Sequence, residues 1–401
     1  MGTFTGLTPG IHVNTLCIVV LSMMAIFPEV RLICFATLVL SMSITHSFVD
    51  FIPSTFLGAP SDDTALSTLP AHKLLLEGRG YEVVIITAIG SFGAYIFAII
   101  VLFPMIYILP FVYVKIKNFI HFILIFIVAY MILIERTLLK KIYGLTVFLL
   151  AGMYGVIVLN AAVYASGEIL FPVFTGLFGI STMLLSLKDK IRIPPQQIDN
   201  NVYLSKSELT KGILTGSTAG MIVGLLPGLG SAQATVLAQG TSKNITTRKY
   251  LAAVSAVNTS NAIFCLITFF TLGKYRSGAI LTIGRIMPEI TMNDFILFCV
   301  IIGFVCAIAT VFHLMIGKAA AKYIPKIPYQ PMNITIISVL IFLIVLFTGW
   351  LGLLVMSVGL TIGLLPPILG VKRTHCMGVI ILPVILYLSN LNDAFLAILG
   401  L

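Results

Sequence analysis

Long apolar stretches separated by short polar connectors run the whole length of this chain. They fall at roughly 11–27, 32–57, 83–109, 119–135, 143–163 and 168–187, then at 209–240, 249–273, 293–317, 333–348, 350–370 and 377–398. Runs such as Phe119–Leu133 never alternate apolar with polar positions. They therefore predict membrane helices rather than the strands of a barrel. The pattern predicts an all-α polytopic membrane protein of about 10–12 transmembrane or re-entrant helices. The most polar connector, Lys188–Ser207, cuts the chain almost in half. It predicts an N-terminal transmembrane repeat at 1–190, a polar linker at 191–207 and a C-terminal transmembrane repeat at 208–401.

Composition leads to the same solvent. Of 401 residues, 59% are apolar and only 9% charged, against about a quarter charged in soluble domains. There is too little polar surface to cover a water-soluble globule. The net charge of +10 comes from Lys and Arg that punctuate apolar segments, as residues that set topology and meet anionic lipid heads do. That distribution argues against nucleic acid as a partner. The clusters Arg136–Lys141 and Lys188–Arg192 bracket two apolar segments, which puts both on one face, the cytoplasmic one by the positive-inside rule. Lys115 and Lys117 sit one short segment before Arg136, so either 119–135 does not span or those lysines lie outside. The first apolar stretch has no basic lead and no Ala-x-Ala site, so no removable signal peptide is expected. The six cysteines lie in apolar surroundings without Cys-x-x-Cys spacing and read as buried hydrophobes.

The chain repeats itself. Gly6-Leu7-Thr8-Pro9-Gly10-Ile11 matches Gly224-Leu225-Leu226-Pro227-Gly228-Leu229, and Phe171-Pro172-Val173-Phe174-Thr175-Gly176 more weakly matches Leu365-Pro366-Pro367-Ile368-Leu369-Gly370. A third echo pairs Phe56-Leu57-Gly58 with Thr271-Leu272-Gly273. Three echoes in the same order favour duplication. The repeats are expected to be inverted, the arrangement that commonly builds midplane sites.

The Pro-Gly motifs interrupt apolar segments. In hydrocarbon every backbone N–H and C=O needs a partner, so such a break persists only inside protein or beside a water-filled cavity. Proline removes a donor and glycine allows angles closed to other residues. The half-helix that follows presents free N–H groups and partial positive charge, which suit an anion. Close packing alone is the plainer explanation of one such motif, but not of a matched pair followed by polar residues. The candidate substrate-binding residues are therefore Thr8, Pro9, Gly10, His12, Asn14 and Thr15 with Pro227, Gly228, Gly230, Ser231 and Gln233.

Two further polar clusters interrupt apolar runs. Thr45 and His46 precede Asp50, and Asn258, Thr259, Ser260 and Asn261 occupy the corresponding region of the second half. Their hydroxyls and amides suit a small cation, and an ionisable carboxylate in an apolar run is a functional candidate by default. Interhelical hydrogen bonding is the plainer reading of any single one of them. Enzyme signatures are lacking. No pair of histidines has the i, i+4 spacing of a zinc site, and neither Gly-x-Ser-x-Gly nor a complete P-loop occurs. No catalytic residue, resident metal or cofactor is expected beyond Na⁺ or H⁺ as a coupling ion.

The stretches Gly6–Thr15 and Gly224–Gly230 resemble the duplicated glycine-rich motifs of the TctA family, the large membrane subunit of tripartite tricarboxylate transporters. Phe171–Gly179 and Leu364–Val371 are similar to its archaeal-type branch. The resemblance implies ion-coupled secondary transport of a carboxylate across the cell membrane, with a small membrane subunit as partner; a homodimer is the other assembly expected. Two rivals accompany that reading. One is a translocase for a lipid-linked phosphate such as polyprenyl phosphate, and the other an intramembrane enzyme acting on lipid.

Overall fold

A computed structural model describes residues 1–401 except 9–12, 59–63, 65, 161–168, 189–192, 226–229, 232–233, 236–237, 239–245 and 400–401. The described residues are helices and turns, with no strand among them. In chain order the helices are α1 (Gly2–Leu7), α2 (Val13–Ile26), α3 (Leu32–Val49), α4 (Phe51–Phe56), α5 (Thr68–Leu76) and α6 (Gly80–Ile116). Then come α7 (Ile120–Leu133), α8 (Leu138–Asn160), α9 (Leu170–Phe174), α10 (Ser181–Lys188) and α11 (Lys206–Leu225). The rest are α12 (Thr247–Leu272), α13 (Gly278–Ile286), α14 (Met292–Tyr323), α15 (Tyr329–Leu369), α16 (Gly378–Leu388) and α17 (Asn392–Leu399).

Among the described residues, six stretches are long and apolar enough to cross a membrane. A seventh counts if Arg373–Leu388 and Asn392–Ile398, bent by 114°, form one broken span. This is a multi-pass membrane protein. The number is smaller than that of the apolar runs partly because two pairs of runs fuse and partly because helices such as α2, of 14 residues, are short. The runs 83–109 and 119–135 join through a single tight turn at Lys117–Phe119, giving 54 nearly continuous helical residues. The runs 333–348 and 350–370 both fall in α15, broken between them at Gly349, whose φ of 62° is left-handed.

The chain forms two compact units, Met1–Val114 with Arg192–Tyr329 and Lys115–Ile191 with Gln330–Leu401. Each unit therefore draws one stretch from either side of the polar connector.

In the first unit α12 is the central helix, buried almost all round. One side packs on α11 through a ridge of glycines spaced four apart. A Cβ on Gly212 would lie 2.9 Å from the Lys249 carbonyl oxygen, one on Gly220 2.6 Å from that of Val257, and one on Gly224 3.1 Å from that of Asn261. On Gly216 it would overlap the Ala253 carbonyl outright. The two helices therefore run parallel at backbone contact, as small residues permit in membranes. On another side, Ser91 of α6 donates to the Ser255 carbonyl at 3.3 Å. Helix α14 crosses α6 antiparallel: Gly317 abuts Val84, His313 Nε2 lies 3.0 Å from Thr87 Oγ1, and Gly303 abuts Tyr95.

The polar connector is an ordered strap on this unit. Gln196 accepts from Gly80 N at 2.7 Å and donates to the Leu75 carbonyl at 3.0 Å, while Gln197 N donates to the Gly78 carbonyl at 2.8 Å. Further along, Glu82 accepts from Tyr203 N at 2.7 Å and pairs with Arg248 through both oxygens, at 2.7 and 3.0 Å. The Arg79 guanidinium lies 3.9 Å over the Tyr203 ring. Gly80, Glu82 and Arg248 all lie at helix starts, where free N–H groups and charges need partners.

In the second unit, α9 runs through a π-helical stretch at Thr175–Ile180 into α10 and packs on the C-terminal half of α15. Gly359 and Gly363, four apart on α15, admit the α9–α10 backbone, and a Cβ on Gly363 would overlap the Leu177 carbonyl. Tyr154 of α8 donates to the Val355 carbonyl at 2.7 Å. The buried His375 lies 3.0 Å from Glu135, and Arg373 donates to the hydroxyls of Ser181 and Thr182. Gly363→Val should therefore destabilise this unit by more than the roughly 1–3 kcal/mol of overpacking between side chains, because the obstructing atom is backbone. Thermal unfolding in detergent reads the loss, and an unchanged midpoint would show that the helices have room to part.

Candidate functional site

The second-half polar cluster lies on α12. Asn258, Thr259 and Ser260 are buried at 3%, 0% and 0% exposure. A helix with polar groups at these positions avoids their cost to lipid only by lying inside protein, and on the Ser260 side the cover is Gly220 of α11. Ser260 donates across to the Ser217 carbonyl at 2.7 Å. Thr268 donates to the Gly224 carbonyl at 2.9 Å, meeting one of the carbonyls left free in the last turn of α11. That turn stands immediately ahead of Leu226-Pro227-Gly228.

Two of the predicted groups meet directly. Asn261, a coupling candidate, donates from Nδ2 to Ser231 Oγ at 3.3 Å, and Ser231, a substrate candidate, is buried. Gly230 is described with it, whereas Pro227, Gly228 and Gln233 lie outside the described residues. Among the described residues, both amide atoms of Asn258 and the hydroxyls of Thr259, Ser217 and Thr235 are buried without a hydrogen-bond partner. Each such group costs about 1–3 kcal/mol when left dry. The unsatisfied oxygens are neutral donors of the kind that suit a small hard cation.

The first-half cluster is set by α1 against α3. His46 Nδ1 lies 3.0 Å from Thr5 Oγ1, and Thr5 in turn donates to the Gly2 carbonyl at 3.0 Å. Thr45 donates to the Ser41 carbonyl at 2.8 Å. Asp50, at 2% exposure, caps the C-terminus of α3 with its backbone N–H on the His46 carbonyl. Thr8 is described just past α1, while Pro9, Gly10 and His12 lie outside the described residues. Asn14 and Thr15 stand in the first turn of α2, with side chains outside the description.

The two clusters share a contact pattern. A Cβ on Gly2 would lie 2.6 Å from the Met42 carbonyl and 2.7 Å from Thr45 Cβ; one on Gly220 would lie 2.6 Å from the Val257 carbonyl and 2.9 Å from Ser260 Cβ. Gly6 meets Val49 Cβ and the His46 carbonyl at 3.0 and 3.2 Å; Gly224 meets Phe264 Cβ and the Asn261 carbonyl at 2.9 and 3.1 Å. The second pair of glycines stands 218 residues after the first, and each partner 215 residues after its counterpart. Gly58 and Gly273, also 215 apart, both end helical runs in the left-handed region, with φ of 64° and 62°.

Sequence reasoning missed the Glu82–Arg248–Tyr203 network, because nothing local links positions so far apart. It also passed over the Gly212, Gly216, Gly220 and Gly224 ridge, which its four-residue spacing could have revealed.

A polytopic helical protein with broken apolar segments and buried, partnerless polar groups has the makings of a transport protein. Residues 1–378 match the model of the tripartite tricarboxylate transporter TctA family, and the chain belongs to that family. An uncharacterized protein of Methanocaldococcus jannaschii is 32% identical over 394 residues, covering 96% of each chain. No solved structure matches the chain. The family is one of transporter components, which points away from an enzyme.

Proposed function

We propose that this chain is the membrane subunit of an ion-coupled secondary transporter in the cell membrane, moving a small organic anion of the carboxylate class. The anion is held between the breaks at Pro9-Gly10 and Pro227-Gly228, near the membrane midplane. Thr8, His12, Asn14, Thr15, Gly230, Ser231 and Gln233 stand around it. Na⁺ or H⁺ couples through Asn258–Asn261 and through Asp50 with Thr45 and His46. A small membrane subunit or a second copy completes the assembly.

The two halves act as inverted repeats in this reading. Supporting it are the glycine contacts repeated at constant offset and the antiparallel crossing of α6 with α14. These two helices begin about 212 residues apart, so they occupy corresponding places in the two halves. Family membership supports the transport class.

The observation that carries the coupling assignment is the buried Asn258 amide, which has no partner among the described residues. Asn258→Leu separates coupling from folding. If the amide is only a misplaced polar group, removing it should leave transport intact. If it holds the coupling ion, the variant should keep or raise its thermal stability in ion-free buffer, since a desolvation cost of about 1–3 kcal/mol disappears. Its uptake should then no longer respond to an imposed ion gradient. Proteoliposomes given a labelled tricarboxylate, with and without Na⁺ and proton gradients, decide the matter. Full gradient-driven uptake by Asn258→Leu sinks the assignment.

A further inference from the structure

In the first unit, Leu7 of α1, Ile52 and Pro53 of α4 and Leu57 line an open groove of about 310 Å³ against Ile316, Ala319, Ala320 and Tyr323 of α14. Its lining is apolar apart from the Tyr323 hydroxyl, and its volume falls within the range of small-ligand pockets. Such a groove would be a liability facing water, whereas its position at the end of a membrane helix suits an acyl chain. The small side chains of Ala319 and Ala320 leave the space where larger ones would fill it.

One end of the groove is marked by charge. Tyr323 is exposed at the end of α14, where the apolar run gives way to polar residues. The ammonium groups of Lys322 and Lys326 each stand 5.5 Å from the centroid of its ring. Neither lysine is paired with a carboxylate among the described residues. An aromatic ring with lysines at a helix end is the arrangement found at the level of lipid head groups.

We infer that this groove binds one molecule of an anionic bilayer lipid, with an acyl chain lying over Ala319 and Ala320 and the phosphate on Lys322 and Lys326. The apolar lining accounts for the chain, and the pair of ammoniums at the Tyr323 rim accounts for the head. The lining adjoins proposed transport residues along the chain, Leu7 beside Thr8 and Ile52 two residues after Asp50, but the residues that define the lipid site are different ones. Neither lysine nor Ala320 belongs to the substrate or coupling residues.

The test is native mass spectrometry of the full-length protein in detergent, titrated with dioleoyl phosphatidylglycerol or dioleoyl phosphatidylcholine. The native protein should retain the phosphatidylglycerol about tenfold or more over the phosphatidylcholine, given roughly fivefold per lysine near an anionic head. Lys322→Gln with Lys326→Gln, both at exposed positions, should abolish that preference without changing thermal stability. Ala320→Phe should displace both lipids. Because that variant adds bulk and could unfold, a variant-free comparison accompanies it: dihexanoyl phosphatidylglycerol should bind at least tenfold more weakly than the dioleoyl form. Equal retention of the two head groups by the native protein, or a preference that survives loss of both lysines, overturns the inference. Equal binding of short and long chains overturns the groove's part in it.

Discussion

Gly216→Leu should leave almost no folded protein. The Gly216 Cα faces the Ala253 carbonyl so closely that even a methyl group there would overlap it. Overpacking a well-filled interior costs about 1–3 kcal/mol where neighbours can shift. Here the obstructing atom belongs to the backbone of α12, the most enclosed helix of its unit, so the cost should exceed that range. The same displacement would pull Ser260 from the Ser217 carbonyl and Thr268 from the Gly224 carbonyl. Gly212→Ala, where the added atom meets the Lys249 carbonyl at 2.9 Å near the helix start, should cost far less. Size-exclusion profiles and thermal midpoints of the two variants check this order. A well-folded Gly216→Leu protein would mean that α11 and α12 are not at backbone contact.

Glu82→Ala should be nearly as damaging, for a different reason. The carboxylate is 4% exposed and accepts from Tyr203 N and twice from Arg248. Removing one partner of a buried pair costs about 3–5 kcal/mol because the other charge is stranded. The Arg248 side chain is 22% exposed, which places the expected loss at the lower end, about 3 kcal/mol. Glu82→Gln keeps an acceptor for Tyr203 N and should lose less. Equal midpoints for Glu82→Ala and the native protein would show that the strap at 193–205 is held by Gln196 and packing alone.

How far the sequence could be read follows from how local each signal was. Membrane helices were legible because burial in lipid shows directly as apolar runs, whereas the break at Gly349 went unremarked because a single glycine in such a run is common. The polar clusters at Thr45–Asp50 and Asn258–Asn261 also stood out, since polar groups in apolar runs are conspicuous. Their depth was not legible. Ser260, for example, is covered by Gly220 of α11, and that depends on a residue 40 positions earlier. The polar composition of 191–207 marks a polar linker. Gln196 and Gln197 also bond the turn between α5 and α6, through Leu75, Gly78 and Gly80, a use that composition alone cannot distinguish from solvation. The division into units also escaped, because each unit is assembled from segments far apart in the chain.

The pairing of Glu82 with Arg248 has a consequence for how the protein is made. Arg248 follows Glu82 by 166 residues, so at ~5–20 residues per second it leaves the ribosome roughly 10–30 s later. Throughout that interval the Glu82 carboxylate has Arg79, 3.6 Å away in the finished fold, but lacks the two bonds from Arg248. The hydrophobic face formed by Val83 and Ile86 likewise waits for Leu251 and Ala252. The first unit therefore closes late in synthesis. A chain ending before α12 would hold membrane helices but no finished fold, and a cell's quality control would meet it as an incomplete protein rather than a half-sized transporter.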